Sequence, residues 1–167
     1  WSFTHYPNQV DPVLNIHYLS ESYLKANPNY QGRPTVPALI DEQSGEVVNN
    51  DYNGLTILLE TKWKEFHSKN APDLYPEAFK DEIDELNKII TEEINSGVYK
   101  VGLAKNQRAY EEAYDTLFYR LEDLDKRLEN NKYLFGEKIT DSDVKLFTTL
   151  ARFDTVYYEL FRCNKKR

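Results

Sequence analysis

The 167-residue sequence has one cysteine, Cys163, and no methionine. A single cysteine excludes an intramolecular disulfide and any cysteine-based metal cluster. The three histidines, His5, His17 and His67, are far apart, and none shows the His-x3-His or His-Glu-x2-His spacing of a metal site, so no metal is expected. Positive charge is also short. Lys and Arg number 21 against 28 Asp and Glu, a net charge of −7, whereas general nucleic-acid binding needs a basic footprint. No apolar run approaches the length of a membrane span, so neither nucleic acid nor membrane is an expected partner and a cytoplasmic location is expected. The sequence contains neither a glycine-rich phosphate loop nor a Gly-x-Ser-x-Gly elbow. Acid pairs such as Glu111 and Glu112 fall on helical stretches with solvated faces, unlike a glycosidase pair. Trp1-Ser2-Phe3-Thr4 does not resemble a signal peptide, and the lack of an initiating methionine suggests a fragment or a processed chain.

Aromatic residues, by contrast, are abundant: 13 Tyr, 8 Phe and 2 Trp. Two zones differ in texture. Residues 1–64 are mixed and punctuated by turns, 65–75 are polar with Pro72 and suit a linker, and 76–167 carry long helical patterns. In the first zone Leu14, Tyr18, Leu19 and Tyr23 predict a helix over Pro12–Ala26, ended by Asn27-Pro28. The runs 35–40 and 46–48, joined by Asp41-Glu42-Gln43-Ser44-Gly45, predict a β-hairpin. Asp51 sits where a helix should start and would be its N-cap. In the second zone Phe79, Ile83, Leu86, Ile90 and Ile94 form one stripe ending near Gly97. Tyr110, Tyr114, Leu117, Leu121, Leu124 and Leu128 form another. Thr140 and Asp143 predict a capped third helix running to about Cys163. The fold class expected is α+β, with a mixed first half and an all-helical second half.

Several residues invite chemistry. Pro37 follows Val36 inside an apolar run, where a proline lacks a ladder donor. It is either an ordinary trans proline at a strand edge or a cis proline that leaves the Val36 backbone open to an extended peptide ligand. Asn50, Asp51 and nearby amides could hold the charged end of an amino acid, the carboxylate of Asp51 taking an ammonium. Tyr99 lies in Gly97-Val98-Tyr99-Lys100-Val101-Gly102, read as a break between helices. It is either a packed tyrosine with an ordinary hydrogen bond or a phenol able to donate to a developing oxyanion. Cys163 reads as a thiol at a helix end, and Lys165, Lys166 and Arg167 as cations at that same end.

The strings Asn27-Pro28-Asn29-Tyr30, Arg33 with Thr35-Val36-Pro37, Leu74-Tyr75-Pro76, Gly97-Val98-Tyr99-Lys100, and Leu146-Phe147-Thr148-Thr149-Leu150 with Arg152-Phe153-Asp154 resemble the glutathionyl-hydroquinone reductases, the Xi-class glutathione transferases. The resemblance implies a partial thioredoxin-like half followed by an all-α glutathione-transferase domain. It implies glutathione as co-substrate, glutathionyl-hydroquinone conjugates as substrates, and allows a homodimer. It places glutathione-binding positions on Trp1, Val36, Asp51 and Tyr52, a cis proline at Pro37, and the substrate-side tyrosine at Tyr99. The family's cysteine nucleophile lies in a Cys-Pro-Trp motif upstream of the matched region and is absent from these residues. Tyr52 replaces a serine, and Gly54 replaces a helix-forming acidic residue. The chain as given is therefore expected to be inactive, the alternative being a non-catalytic binding or scaffold module.

Overall fold

The computed structural model describes residues 1–164. The chain divides into two units, Trp1–Leu59 and Glu60–Arg167, the boundary falling inside one helix.

In the first unit the predicted helix over Pro12–Ala26 is only half formed: α1 spans Leu19–Ala26. Asp11 Oδ1 accepts the amides of Val13 and Leu14 at 3.0 and 2.8 Å, and Asn15 takes a left-handed φ of 53°. Asp11 thus caps one turn, closed by the Asn15 amide donating to the Asp11 carbonyl at 2.9 Å, and the left-handed Asn15 stops it from continuing as a helix. α1 begins where Glu21 Oε1 accepts the amides of His17 and Tyr18, both at 2.8 Å. Tyr23, buried on α1, donates its hydroxyl to the Thr35 carbonyl at 2.7 Å and so fixes the segment leading to Pro37.

The hairpin forms as predicted. β1 (Leu39–Ile40) pairs antiparallel with β2 (Val47–Asn49), Leu39 opposite Asn49 and Ile40 opposite Val47. Its turn is built by Asp41, whose Oδ1 accepts the Ser44 amide at 2.8 Å, and by Gly45 at φ +70°. Ser44's amide and hydroxyl together hold the Asp41 carboxyl below its ordinary pKa.

α2 (Leu55–Lys62) starts later than Asp51 predicts. The first helical carbonyl is that of Gly54, which accepts the Leu58 amide at 2.9 Å. Asp51 instead caps a turn, its Oδ1 accepting the Asn53 amide at 3.1 Å. A Cβ on residue 54 would collide with Asp51 Oδ2, so glycine lets the carboxylate fold over the helix start.

In the second unit α3 (Lys80–Ile89), a wide π-turn (Ile90–Asn95) and α4 (Gly97–Gly102) make a nearly continuous helix. The break predicted at Gly97–Gly102 is not present. The stripe Ile90, Ile94, Val98 and Val101 stays buried across Gly97, and that burial outweighs the ~1 kcal/mol a helical glycine costs. α5 (Gln107–Leu128) is capped by Asn106, whose side chain accepts the Ala109 amide at 2.9 Å. Leu117 and Leu124 bury its inner face. Tyr133–Gly136 closes a turn with Gly136 at φ +92°.

α6 spans Asp141–Leu150. Asp143 Oδ2 accepts the Thr140 amide at 2.8 Å, the half of the predicted box that reaches back. The Thr140 hydroxyl donates to the same oxygen at 2.9 Å, and the Thr140 side chain also meets the backbone amide of Asp143, so the predicted capping box is present. The helix predicted to reach Cys163 breaks after Leu150. Arg152 Nε donates to the Thr148 carbonyl at 2.9 Å, a second π-turn follows at Phe153–Tyr157, and only α7 (Tyr158–Leu160) remains helical. Cys163 is thus not at the end of a long helix. Its amide donates to the Tyr157 carbonyl at 3.0 Å after Arg162 turns left-handed at φ 57°. Lys165, Lys166 and Arg167 lie outside the described residues.

Candidate active site

The predicted site residues Trp1, Val36, Asp51 and Tyr52 all lie in the first unit and are exposed. The Val36–Pro37 bond is cis. Val36 is 49% exposed, and among the described residues its N–H and C=O have no hydrogen-bond partner. That is an unpaired backbone edge of the kind an extended peptide can join. Trp1 is exposed and is tethered by its carbonyl, which accepts the Leu19 amide at 3.2 Å. With Tyr18, Ser20, Arg33 and Pro34 it lines an open cavity of about 480 Å³. Arg33 is the cation of that wall, and its guanidinium suits a carboxylate. Its place in the string before Thr35-Val36-Pro37 was the only signal for it in the sequence. Asp51 and Tyr52 are both exposed; Asp51 donates its own amide to Asn49 Oδ1 at 2.7 Å.

Tyr99 lies in the second unit, on α4. Its ring is 46% exposed and its hydroxyl has no hydrogen-bond partner among the described residues. The ring is held edge-on by Phe161, with centroids 5.1 Å apart, and by Tyr157 at 5.8 Å. Phe161 can approach because residue 102 is glycine: a Cβ there would lie 2.6 Å from Phe161 Cβ. The packing is aromatic and the phenol end is left open, so Tyr99 is free to donate to an incoming oxygen.

Cys163 is fully buried, with Sγ 3.8 Å from the Val98 carbonyl. Burial pushes its thiol up to about 11, away from the thiolate a nucleophile needs. The helix-end electrostatics expected for it do not apply, because no long helix ends there. Among the described residues no group of acidic, histidine or cysteine side chains could hold a metal ion, and no helix is long and apolar enough to cross a membrane.

A two-strand sheet with α1 and α2, followed by a helical unit of this order, defines a partial thioredoxin-like half and a glutathione-transferase helical domain. Residues 107–166 match the glutathione S-transferase C-terminal domain. The chain is a homologue of the glutathionyl-hydroquinone reductases and Xi-class glutathione transferases. It is 40% identical over 157 residues to the glutathionyl-hydroquinone reductase YqjG of Escherichia coli, covering 94% of this chain and 48% of that protein. Its fold superposes on a glutathione transferase from Gordonia bronchialis with a TM-score of 0.91 at 48% identity, over 99% of this chain and 52% of the other. The glutathione-bound structure of YqjG superposes with a TM-score of 0.87 at 39% identity, over 100% of this chain and 55% of that one. The chain thus spans about half the length of the relatives it matches.

Proposed function

We propose that these residues are part of a glutathione-dependent reductase acting on glutathionyl-hydroquinones, and that on their own they do not turn over. The observation that carries the first half is the open Tyr99 phenol, clamped by Phe161 and Tyr157 in a chain homologous to such reductases. A phenol without a partner can donate to the oxygen of a bound hydroquinone as charge builds there. The unpaired Val36 backbone supports a peptide-binding role, and glutathione is such a peptide. Trp1 and Arg33, with Asp51 and Tyr52, are the remaining residues we assign to glutathione.

The second half rests on the thiol. In the reaction proposed, a thiolate takes the sulfur of the conjugate's glutathionyl group, the carbon–sulfur bond breaks, and the ring carbon gains a proton to give the free hydroquinone. The thiolate is left joined to that glutathionyl sulfur as a mixed disulfide, and a second glutathione thiolate attacks it, forming glutathione disulfide and freeing the enzyme thiolate. The first step needs a thiolate in contact with the thioether. Cys163 is fully buried and its thiol is held protonated, so it does not serve.

The assay is turnover of a glutathionyl-hydroquinone with excess glutathione, comparing the chain with Cys163→Ser. No turnover above the blank is expected from either. Turnover lost in Cys163→Ser would mean the nucleophile is misassigned, and turnover kept would mean that the cysteine route does not apply. A calorimetric titration with glutathione is expected to give affinity weaker than micromolar. Tyr52 cannot place a short hydroxyl as serine does, and one lost hydrogen bond to a charged group is worth about 1.5–3 kcal/mol, roughly tenfold or more.

A further inference from the structure

The second unit holds a carboxyl pair, buried Asp141 and half-buried Glu60, that the proposed reaction does not use. Asp141, at the first turn of α6, has 0% exposure. Its Oδ2 accepts from Asn87 Nδ2 at 2.7 Å and lies 3.8 Å from Lys145 Nζ. Its amide donates to the Leu74 carbonyl at 2.8 Å, tying the 73–76 segment to α6. Its other oxygen, Oδ1, is buried and has no hydrogen-bond partner, and the same is true of Oε2 of Glu60. Glu60, in the last turns of α2, lies within hydrogen-bonding reach of Asp141.

Two ionised carboxylates bring acceptors only, so side by side they leave both oxygens unsatisfied and repel each other. One proton between them turns one carboxyl into a donor and satisfies both. The Asn87 N–H and the Lys145 ammonium both face Asp141, so the proton belongs on Glu60. We propose that Glu60 is held protonated against the Asp141 carboxylate and that this shared proton is a pH-sensitive latch on the helical unit.

The other charged groups acting on Glu60 are Lys145 of α6, which favours its ionised form, and Asp73 of the preceding segment, which opposes it. Burial and then the Asp141 charge dominate, and they push the Glu60 carboxyl from an ordinary 4.5 up to about 8. Between those values the folded unit keeps a proton that the unfolded chain releases. The stability tied to that proton is complete below the ordinary carboxyl range and is lost as pH rises through about 8. Within the window the unfolding constant rises by at most about tenfold per pH unit.

The test follows the urea midpoint of the 167-residue chain at pH 5 and pH 9, beside Glu60→Gln. Gln keeps a donor toward Asp141 and has no proton to lose. The original chain should lose stability relative to Glu60→Gln across that interval, by a roughly tenfold or greater rise in unfolding constant. Carbon NMR of the Glu60 carboxyl in the unmutated chain should show a titration well above the ordinary 4.5 of a glutamate. Parallel stability profiles, or a Glu60 carboxyl that titrates in the ordinary glutamate range, would overturn the proposal. Should Glu60→Gln fail to fold, the NMR titration alone decides.

Discussion

Replacing Gly102 by alanine adds one methyl at the contact that orients Tyr99. Gly102 closes α4, and its φ is not in the left-handed region, so alanine meets no backbone strain. Helix propensity alone would favour the change by up to ~1 kcal/mol, and less at a terminal position. Against that, the new Cβ would sit 2.6 Å from both Cβ and Cδ1 of Phe161, distances that real Cβ atoms do not show. Phe161 must therefore move as a whole, because the clash is at the root of its side chain. Overpacking of this kind costs typically ~1–3 kcal/mol. The displaced ring also gives up its edge contact with Tyr99 and its tilted contact with Tyr157, worth about 0.5–1.5 kcal/mol each. The losses exceed the gain, and Gly102→Ala should destabilise by about 1–3 kcal/mol. Urea unfolding of the chain, of Gly102→Ala, of Phe161→Ala and of the double variant forms a cycle. In it the glycine change should become neutral or stabilising once Phe161 is gone, a coupling of about 1 kcal/mol or more. If Gly102→Ala is as stable as the original chain, or if the two changes simply add, the steric argument fails and Tyr99 is oriented by something else.

Two further outcomes follow from buried groups. Asn87→Ala should cost about 2–5 kcal/mol, because it removes a 2.7 Å bond to Asp141 and strands the Ser142 hydroxyl that donates to Asn87 Oδ1 at 2.8 Å; a loss under ~1 kcal/mol by urea unfolding would mean that water replaces both bonds. Alkylation of Cys163 at pH 8 should be at least about a hundredfold slower in the folded chain than in urea, since its thiol is raised from 9.0 to about 11, and comparable rates would mean that the thiol is reachable in the folded state.

The sequence disclosed most where one local rule acts alone. The turn Asp41–Gly45 needed a side-chain acceptor and a left-handed glycine, both visible in the letters, and the hairpin followed. The long α5 was legible from its apolar stripe alone, Tyr110 to Leu128; its Asn106 cap is seen only in the structure. What could not be read were the places where a helix stops early. Asp11 caps a single turn, but Asn15 then goes left-handed and the helix predicted through residues 12–18 does not continue. Arg152 binds the Thr148 carbonyl, and the final helix is cut short. Gly97 misled in the opposite direction, because Val98 and Val101 beyond it are buried and tertiary packing overrides a glycine's preference. Among candidate site residues, Val36 and Tyr99 are partly exposed. The Glu60–Asp141 pair carried no sequence signal, since the two residues are remote in the chain and meet only on folding.

The π-turn at Ile90–Asn95 also sets a phase. Each residue of a regular α-helix advances the side-chain direction by about 100°, so a repeat of four residues drifts steadily around the axis. The buried positions Leu86, Ile90, Ile94 and Val98 recur at intervals of four and remain inward because the wider turn absorbs the drift. Asn95 pins that turn to α6, donating to the Lys145 carbonyl at 3.2 Å and accepting the Thr149 hydroxyl at 2.6 Å. The azimuth of Tyr99 is therefore decided upstream of it. Removing a single residue from 90–95 would rotate everything on α4 by roughly a quarter turn, carrying the phenol off Phe161 and Tyr157 while leaving its own sequence neighbourhood untouched.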